Sequence, residues 1–136
     1  MANSTAMAAV QATVIALLGG DSILTGLAPV YDAVPEGRSY PYIEIGDIVE
    51  TPNNVFGKNG RSLLVVISAF SDVPGFKEVE AILERLNVLL DDTLLPDPAG
   101  WKCWMSAYES GTAQKEFDTV ELRHLIANYR IEVSQP

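Results

Sequence analysis

The chain of 136 residues is poor in the side chains from which catalytic centres are usually built: it has one cysteine, Cys103, and one histidine, His124. A lone cysteine excludes an internal disulfide and a multi-cysteine zinc site. A lone histidine removes most routes to a metal centre or to a nucleophile paired with its base. Positive charge is scarce as well. Nine Lys and Arg stand against eighteen Asp and Glu, a formal net charge of −9, and this opposes a stable grip on a phosphate backbone, which runs on counterions displaced by cationic side chains. No Lys or Arg precedes Arg38, so the start of the chain lacks the basic region of a secretory signal. The longest apolar stretch, Ala6 to Leu18, is broken by Gln11 and Thr13 and falls short of the roughly 20 residues that span a bilayer. Neither a membrane anchor nor export by that route is expected, and synthesis in the cytoplasm follows.

What is present is enough for one folded domain over residues 1–136. The composition, 48% hydrophobic and 20% charged with a mean hydropathy of +0.15, is that of a globular protein able to bury a core without staples. Asn3 or Ser4 is placed to cap a helix over Thr5–Leu18, whose apolar residues Met7, Val10, Val14, Leu17 and Leu18 recur at helical spacing before Gly19 and Gly20 stop it. Ala6, Ala8, Ala9, Ala12 and Ala16 occupy the other side, and no charge occurs from Met1 to Gly20. A solvated helix normally carries charge, so this one is expected to be covered, either within its own domain or by a second subunit, with Val10 and Val14 as candidate contacts.

Asp21–Leu27 reads as a helical turn capped by Asp21 or Ser22, and Pro29, Pro35, Gly37 and Pro41 make the next segment an irregular connector. Tyr42–Glu50 alternates as a strand, with Ile43, Ile45 and Val49 on one side and Glu44, Gly46, Ile48 and Glu50 on the other. Thr51–Gly60 is turn-rich and leads, as a hairpin, into Leu63–Phe70, an apolar run expected to lie centrally in the sheet with cover on both faces. The two strands should pair antiparallel. Phe76, Val79, Ile82, Leu83, Leu86, Leu89 and Leu90 form the stripe of a long amphipathic helix. A strand follows from about Trp101 to Glu109, with Lys102, Trp104 and Ser106 alternating against Trp101, Cys103 and Met105. Polar Ser110–Thr119 is expected to loop outward, and Glu121–Val133 closes the domain as a strand with Leu125, Ala127, Tyr129, Ile131 and Val133 inward. The expected fold is therefore α+β: a mostly antiparallel sheet of about four strands, with an N-terminal helix and a long amphipathic helix packed on it.

Chemistry-bearing patterns fail one by one. Gly57, Lys58, Gly60, Arg61 and Ser62 lack the phosphate-loop spacing and join two strands instead of opening a helix. Asp91, Asp92 and Asp97 lack the calcium-loop rhythm. Glu109, Glu116 and Asp118 read as surface charge. Cys103 lies between two tryptophans, a setting for an inert buried thiol, and His124 sits within a strand pattern with no partner predicted. Trp101, Trp104 and Tyr108 beside Lys102 imitate a base-stacking platform, which the net charge disfavours. No catalytic residue, cofactor or metal is expected. The basic tip Phe56, Gly57, Lys58, Asn59 and Arg61 and the acidic loop with Glu116 and Asp118 remain as candidate docking elements.

The run Val30–Ile45, VYDAVPEGRSYPYIEI, resembles a segment of the tail completion or tail terminator proteins of long-tailed bacteriophages and related gene transfer agents. In that family a tyrosine, a proline and an aromatic-Pro-Tyr step, here Tyr40, Pro41 and Tyr42, lead into the first strand. The order of elements agrees over nearly the whole chain, while Ala113–Asp118 and the two-tryptophan strand match no motif of the family. The resemblance implies a structural virion protein at the neck-proximal end of the tail, assembled in the host cytoplasm, without enzymatic activity. Its copies would close into a ring, typically a hexamer, that caps the tail tube, ends its polymerisation and joins the head connector. DNA would pass through the channel without specific binding. Another neck or head-completion component and a small ligand-binding module stand as alternatives.

Overall fold

The computed structural model describes residues 4–54 and 57–136. Their elements are α1 (Met7–Gly19), α2 (Ser22–Leu27), β1 (Val30–Tyr31), β2 (Tyr42–Pro52), β3 (Gly60–Ser71), α3 (Lys77–Leu90), β4 (Lys102–Asp118) and β5 (Val120–Ser134). The strands form one five-stranded sheet in the order β1-β2-β3-β5-β4. β1 joins β2 in parallel and the remaining pairs are antiparallel. The sheet is thus mixed and has a fifth strand, because Val30 and Tyr31 of the proline-bounded connector lie alongside Ile43 and Glu44.

All three helices contribute to one core against a single face of the sheet. α1 contributes Val10, Val14 and Leu18, α2 Leu24, and α3 Val79, Ile82, Leu86 and Leu90; they pack with Leu63, Val65, Ile67 and Ala69 of β3 and with Leu125, Ala127, Tyr129 and Ile131 of β5. Burial of each large apolar side chain is worth about 1.5–3 kcal/mol, and β3 and β5 hold the centre of the sheet. Cover on both faces of β3 is not found: Leu64, Val66, Ser68 and Phe70 point away from the helices and stay half-exposed.

Three register shifts, one in β2 and two in β4 with the second between Tyr108 and Ser110, mark where simple alternation fails. In β2 the register shifts between Ile45 and Ile48, so Ile48 pairs with Val65 and Glu50 with Leu63 on the helix side, while Val49 turns outward and is 53% exposed. An extra residue in one strand reverses every later side chain. In β4 a shift between Cys103 and Met105 turns Ser106 inward, where its hydroxyl donates to the Leu90 carbonyl at 2.6 Å.

The expected loop Ser110–Thr119 is strand through Asp118. It pairs residue by residue with β5, up to Asp118 opposite Val120, and the chain reverses at Thr119, whose φ is 34°. Its polar composition reflects exposure on an edge strand, held in place by an apolar partner that β3 anchors on its other side. α1 begins at Met7 without a side-chain cap from Ser4; Asn3 lies outside the described residues. The Glu50 carboxylate of β2 serves instead, accepting from the Ala6 amide at 2.7 Å. α2 is capped as expected by Asp21, which accepts from the Leu24 amide.

Candidate interaction surfaces

The residues expected at an interface fall into three settings. Val10 and Val14 lie wholly inside the chain's own core, because Ala6, Val10, Val14 and Leu18 repeat at four-residue spacing on the face that meets the sheet. The rest of α1 is a different matter. Ala8, Ala12 and Ala16 are exposed, and a shallow groove runs between Ala9, Ala12, Thr13 and Ala16 and the segment at Pro96 and Ala99.

In the β2–β3 hairpin, Gly57 and Lys58 are exposed, Asn59 is half-buried, and Phe56 lies outside the described residues. Arg61 is 7% exposed. Its Nη1 donates to Asn59 Oδ1 and to the Gly60 carbonyl, each at 2.7 Å; its Nη2 donates to the Ser4 carbonyl at 2.9 Å, and its guanidinium lies 5.9 Å from the Trp101 ring centroid. Arg61 therefore ties the hairpin base to the start of the chain. Gly60 is required there, since a Cβ would stand 2.1 Å from the Asn53 carbonyl oxygen. The adjacent Glu132 is 5% exposed and accepts from Asn53 Nδ2 and Ser62 Oγ, both at 2.5 Å.

The third setting is the open face of the sheet, where register brings together side chains that are far apart in sequence. Tyr42, Phe70, His124 and Gln114 lie directly opposite one another on β2, β3, β5 and β4. Tyr40 stacks on Tyr42 at 5.6 Å, Tyr42 on Phe70 at 5.1 Å and Phe70 on His124 at 4.2 Å. Arg38 closes one end, its guanidinium 4.5 Å from the Tyr42 ring centroid and its Nη2 donating to Tyr42 Oη at 2.7 Å. At the other end His124 Nδ1 meets Glu116 Oε2 at 2.5 Å and Nε2 meets Ser68 Oγ at 3.1 Å. The contact with His124, and then that with Gln114, hold the Glu116 carboxyl below its ordinary range. Only the Tyr40–Tyr42 step was legible beforehand; Phe70 and His124 needed the register.

Beyond this row the β4–β5 hairpin ends in Phe117, 82% exposed, and Val120, 49% exposed. Asp118 is the last paired residue of β4. Phe117 had no sequence signal, because a single apolar residue in a polar segment has no period.

Cys103 and His124 are not brought together, since Cys103 lies opposite Val133, nine residues along β5 from His124; the imidazole stands instead between the Ser68 hydroxyl and the Glu116 carboxylate. Burial pushes the Cys103 thiol up, away from the thiolate that a nucleophile needs, and the contacts of His124 are an aromatic ring, a hydroxyl and a carboxylate. Among the described residues there is no group of three or more His, Cys, Asp or Glu placed to hold a metal ion, and no helix is long and apolar enough to cross a membrane.

A sheet covered by helices on one side, with a row of rings on its other side and an apolar hairpin end, defines a small α+β protein. The chain belongs to the tail completion protein gp17 family, whose model matches residues 7–133. Its fold is that of a chain in the virion of a native gene transfer agent particle, similar with a TM-score of 0.86 at 23% identity over 97% of this chain and 99% of that one. No curated protein matches it in sequence.

Proposed function

We propose that the protein is a ring-forming tail terminator: copies of the chain, six in the typical case, cap the finished tail tube, end its polymerisation and offer the opposite face to the head connector. The observation that carries this reading is the family match over residues 7–133, almost the whole chain. The surfaces support it. The chain has an uncharged helix face and a net charge of −9 that suits a channel through which a polyanion must slide without adhering. The protein sits at the neck-proximal end of the tail, is assembled in the host cytoplasm and acts as one domain without making or breaking a bond. Gly57, Lys58 and Asn59 at the β2–β3 tip and Phe117 at the β4–β5 tip contact the tube or the connector.

Deletion of the gene, with electron microscopy of the resulting particles, tests the reading. A terminator mutant yields tails of uncontrolled length. Tails of normal length together with heads that leak packaged DNA would assign the chain to head completion instead.

A further inference from the structure

The sheet has two half-edges that nothing described pairs with, and they lie on its opposite sides. On β4 the first half of the outer edge is occupied: the Cys103 amide donates to Asp97 Oδ1, the Asp92 amide to the Ser106 carbonyl, and the Tyr108 amide to Asp91 Oδ1. From Ser110 onward the outer edge of β4 receives no such bond from any described residue. On the other side β1 covers β2 only at Ile43 and Glu44, so Gly46–Thr51 is a second uncovered stretch.

Exposed strand edges are normally blunted by charge, proline or cover, because their free amides and carbonyls recruit other strands. Ser110, Gly111, Thr112, Ala113 and Gln114 carry no charge and no proline. The first five residues of the bare half of β4 are thus undefended, and charge returns at Lys115, Glu116 and Asp118 toward the hairpin end. On β2 the Glu50 carboxylate is turned away onto Thr5 and the Ala6 amide, and Val49 is exposed.

We propose that these half-edges are the two sides of one joint, in which β4 of one copy pairs antiparallel with β2 of the next, so that the sheets of successive copies run into one another around a ring. The proposal rests on the ring reading above and names the surface that makes the ring. Polarity permits it. β2, β3, β5 and β4 alternate in direction across the sheet, so a copy placed alongside in the same orientation presents β2 antiparallel to β4.

The offset of the half-edges sets the geometry. The centre of the bare β2 stretch, Val49, is level with Arg130 of β5, and the centre of the bare β4 stretch, Gln114, is level with His124. Six residues of strand separate these levels, about 20 Å at about 3.3 Å each, against about 19 Å across four strands spaced about 4.8 Å apart. Joining copies in this stagger tilts the strands by about 45° to the ring axis, the slope at which sheets close into barrels. A contact between two different surfaces closes into a ring when its rotation allows. Taking β3–α3–β4 as the right-handed crossover usual between parallel strands, the twist of the strands then places the helices outside and the open face, with Val66, Ser68, Ile126 and Asn128, toward the channel.

The test introduces Gln114→Cys and Val49→Cys, both at exposed positions, separately and together, and treats assembled protein with a short bismaleimide that tolerates a slip in register. Wild-type protein, with Cys103 buried, is the control, and circular dichroism confirms that each variant is folded. A mixture of the two single variants should cross-link as dimers while neither does so alone, and the double variant should give a ladder ending at the ring. Cross-linking of Gln114→Cys with itself would mean a symmetric β4-to-β4 contact and would overturn the proposal. So would silence in the mixture while light scattering still reports ring-sized particles, a result that leaves the ring reading standing. A wild-type chain that stays monomeric overturns both.

Discussion

The two faces of β3 come from alternate residues of one strand and have opposite fates. Leu63, Val65, Ile67 and Ala69 are fully buried under the helices, whereas Leu64, Val66, Ser68 and Phe70 are half-exposed on a face with no helix over it. Both sets are largely apolar, so hydropathy alone does not separate them. What separates them is whether the chain supplies a covering layer. One face holds the monomer together, and the other is free to serve an assembly.

The sharpest way to break this contrast is to shorten one residue on each face. Ile67→Ala should cost about 2–5 kcal/mol, the range for removing a fully buried branched side chain, read as a fall in the urea midpoint. Val66→Ala next to it should cost under about 1 kcal/mol by the same assay. Equal losses would mean that the open face is as structural as the core. On the hairpin that bounds the sheet, Gly60→Ala should cost about 1–3 kcal/mol, because backbone from Asn53 meets the new methyl and has no rotamer by which to move away.

The acid limb of stability sharpens the helix side. The Arg85 guanidinium, donating to Asp21 through Nε at 2.8 Å and Nη2 at 2.7 Å, and then the Leu24 amide hold the Asp21 carboxyl down from 3.8 to about 2. A carboxyl whose folded pKa lies below its unfolded one favours the folded state above the unfolded value, and this contribution disappears as pH falls through the folded one. Stability should therefore drop between about pH 4 and pH 2 through this pair, and Asp21→Asn should flatten that part of the profile measured by urea unfolding. The smallest effect on folding is expected from Phe117→Ser at the hairpin end, within about 0.5 kcal/mol, with any larger consequence confined to assembly with tube or connector and visible in a tube-binding assay.

The sequence carried much of this arrangement and missed it where side-chain period is silent. Helical spacing located α1 and α3, and alternation in Leu125–Val133 identified the inward face of β5. An uncharged helix needs cover, and the sequence leaves open whether its own domain or a second subunit supplies it over Val10 and Val14; the four-residue repeat through Ala6 and Leu18 places both in the chain's own core. The bulges at Gly46–Asp47 and Trp104 reversed Ile48, Val49, Glu50 and Ser106, since one inserted residue changes faces without changing composition. Ser110–Thr119 reads as a loop because an edge strand exposed to water is as polar as one. The sequence places Arg61 in a basic docking tip, and only the fold brings Asn59 and the Ser4 carbonyl to it. The row from Tyr40 to His124 depends on pairings across three strands, which no local pattern encodes.

The proposed ring depends on self-association, and the molar mass of the purified chain in solution tests this most directly. Light scattering across a range of salt concentrations should report a ring-sized particle, about 88 kDa for six copies of the 14.7 kDa chain, with a central hole in electron micrographs. A particle of one chain's mass under every condition, including in the presence of tail tubes, would contradict it.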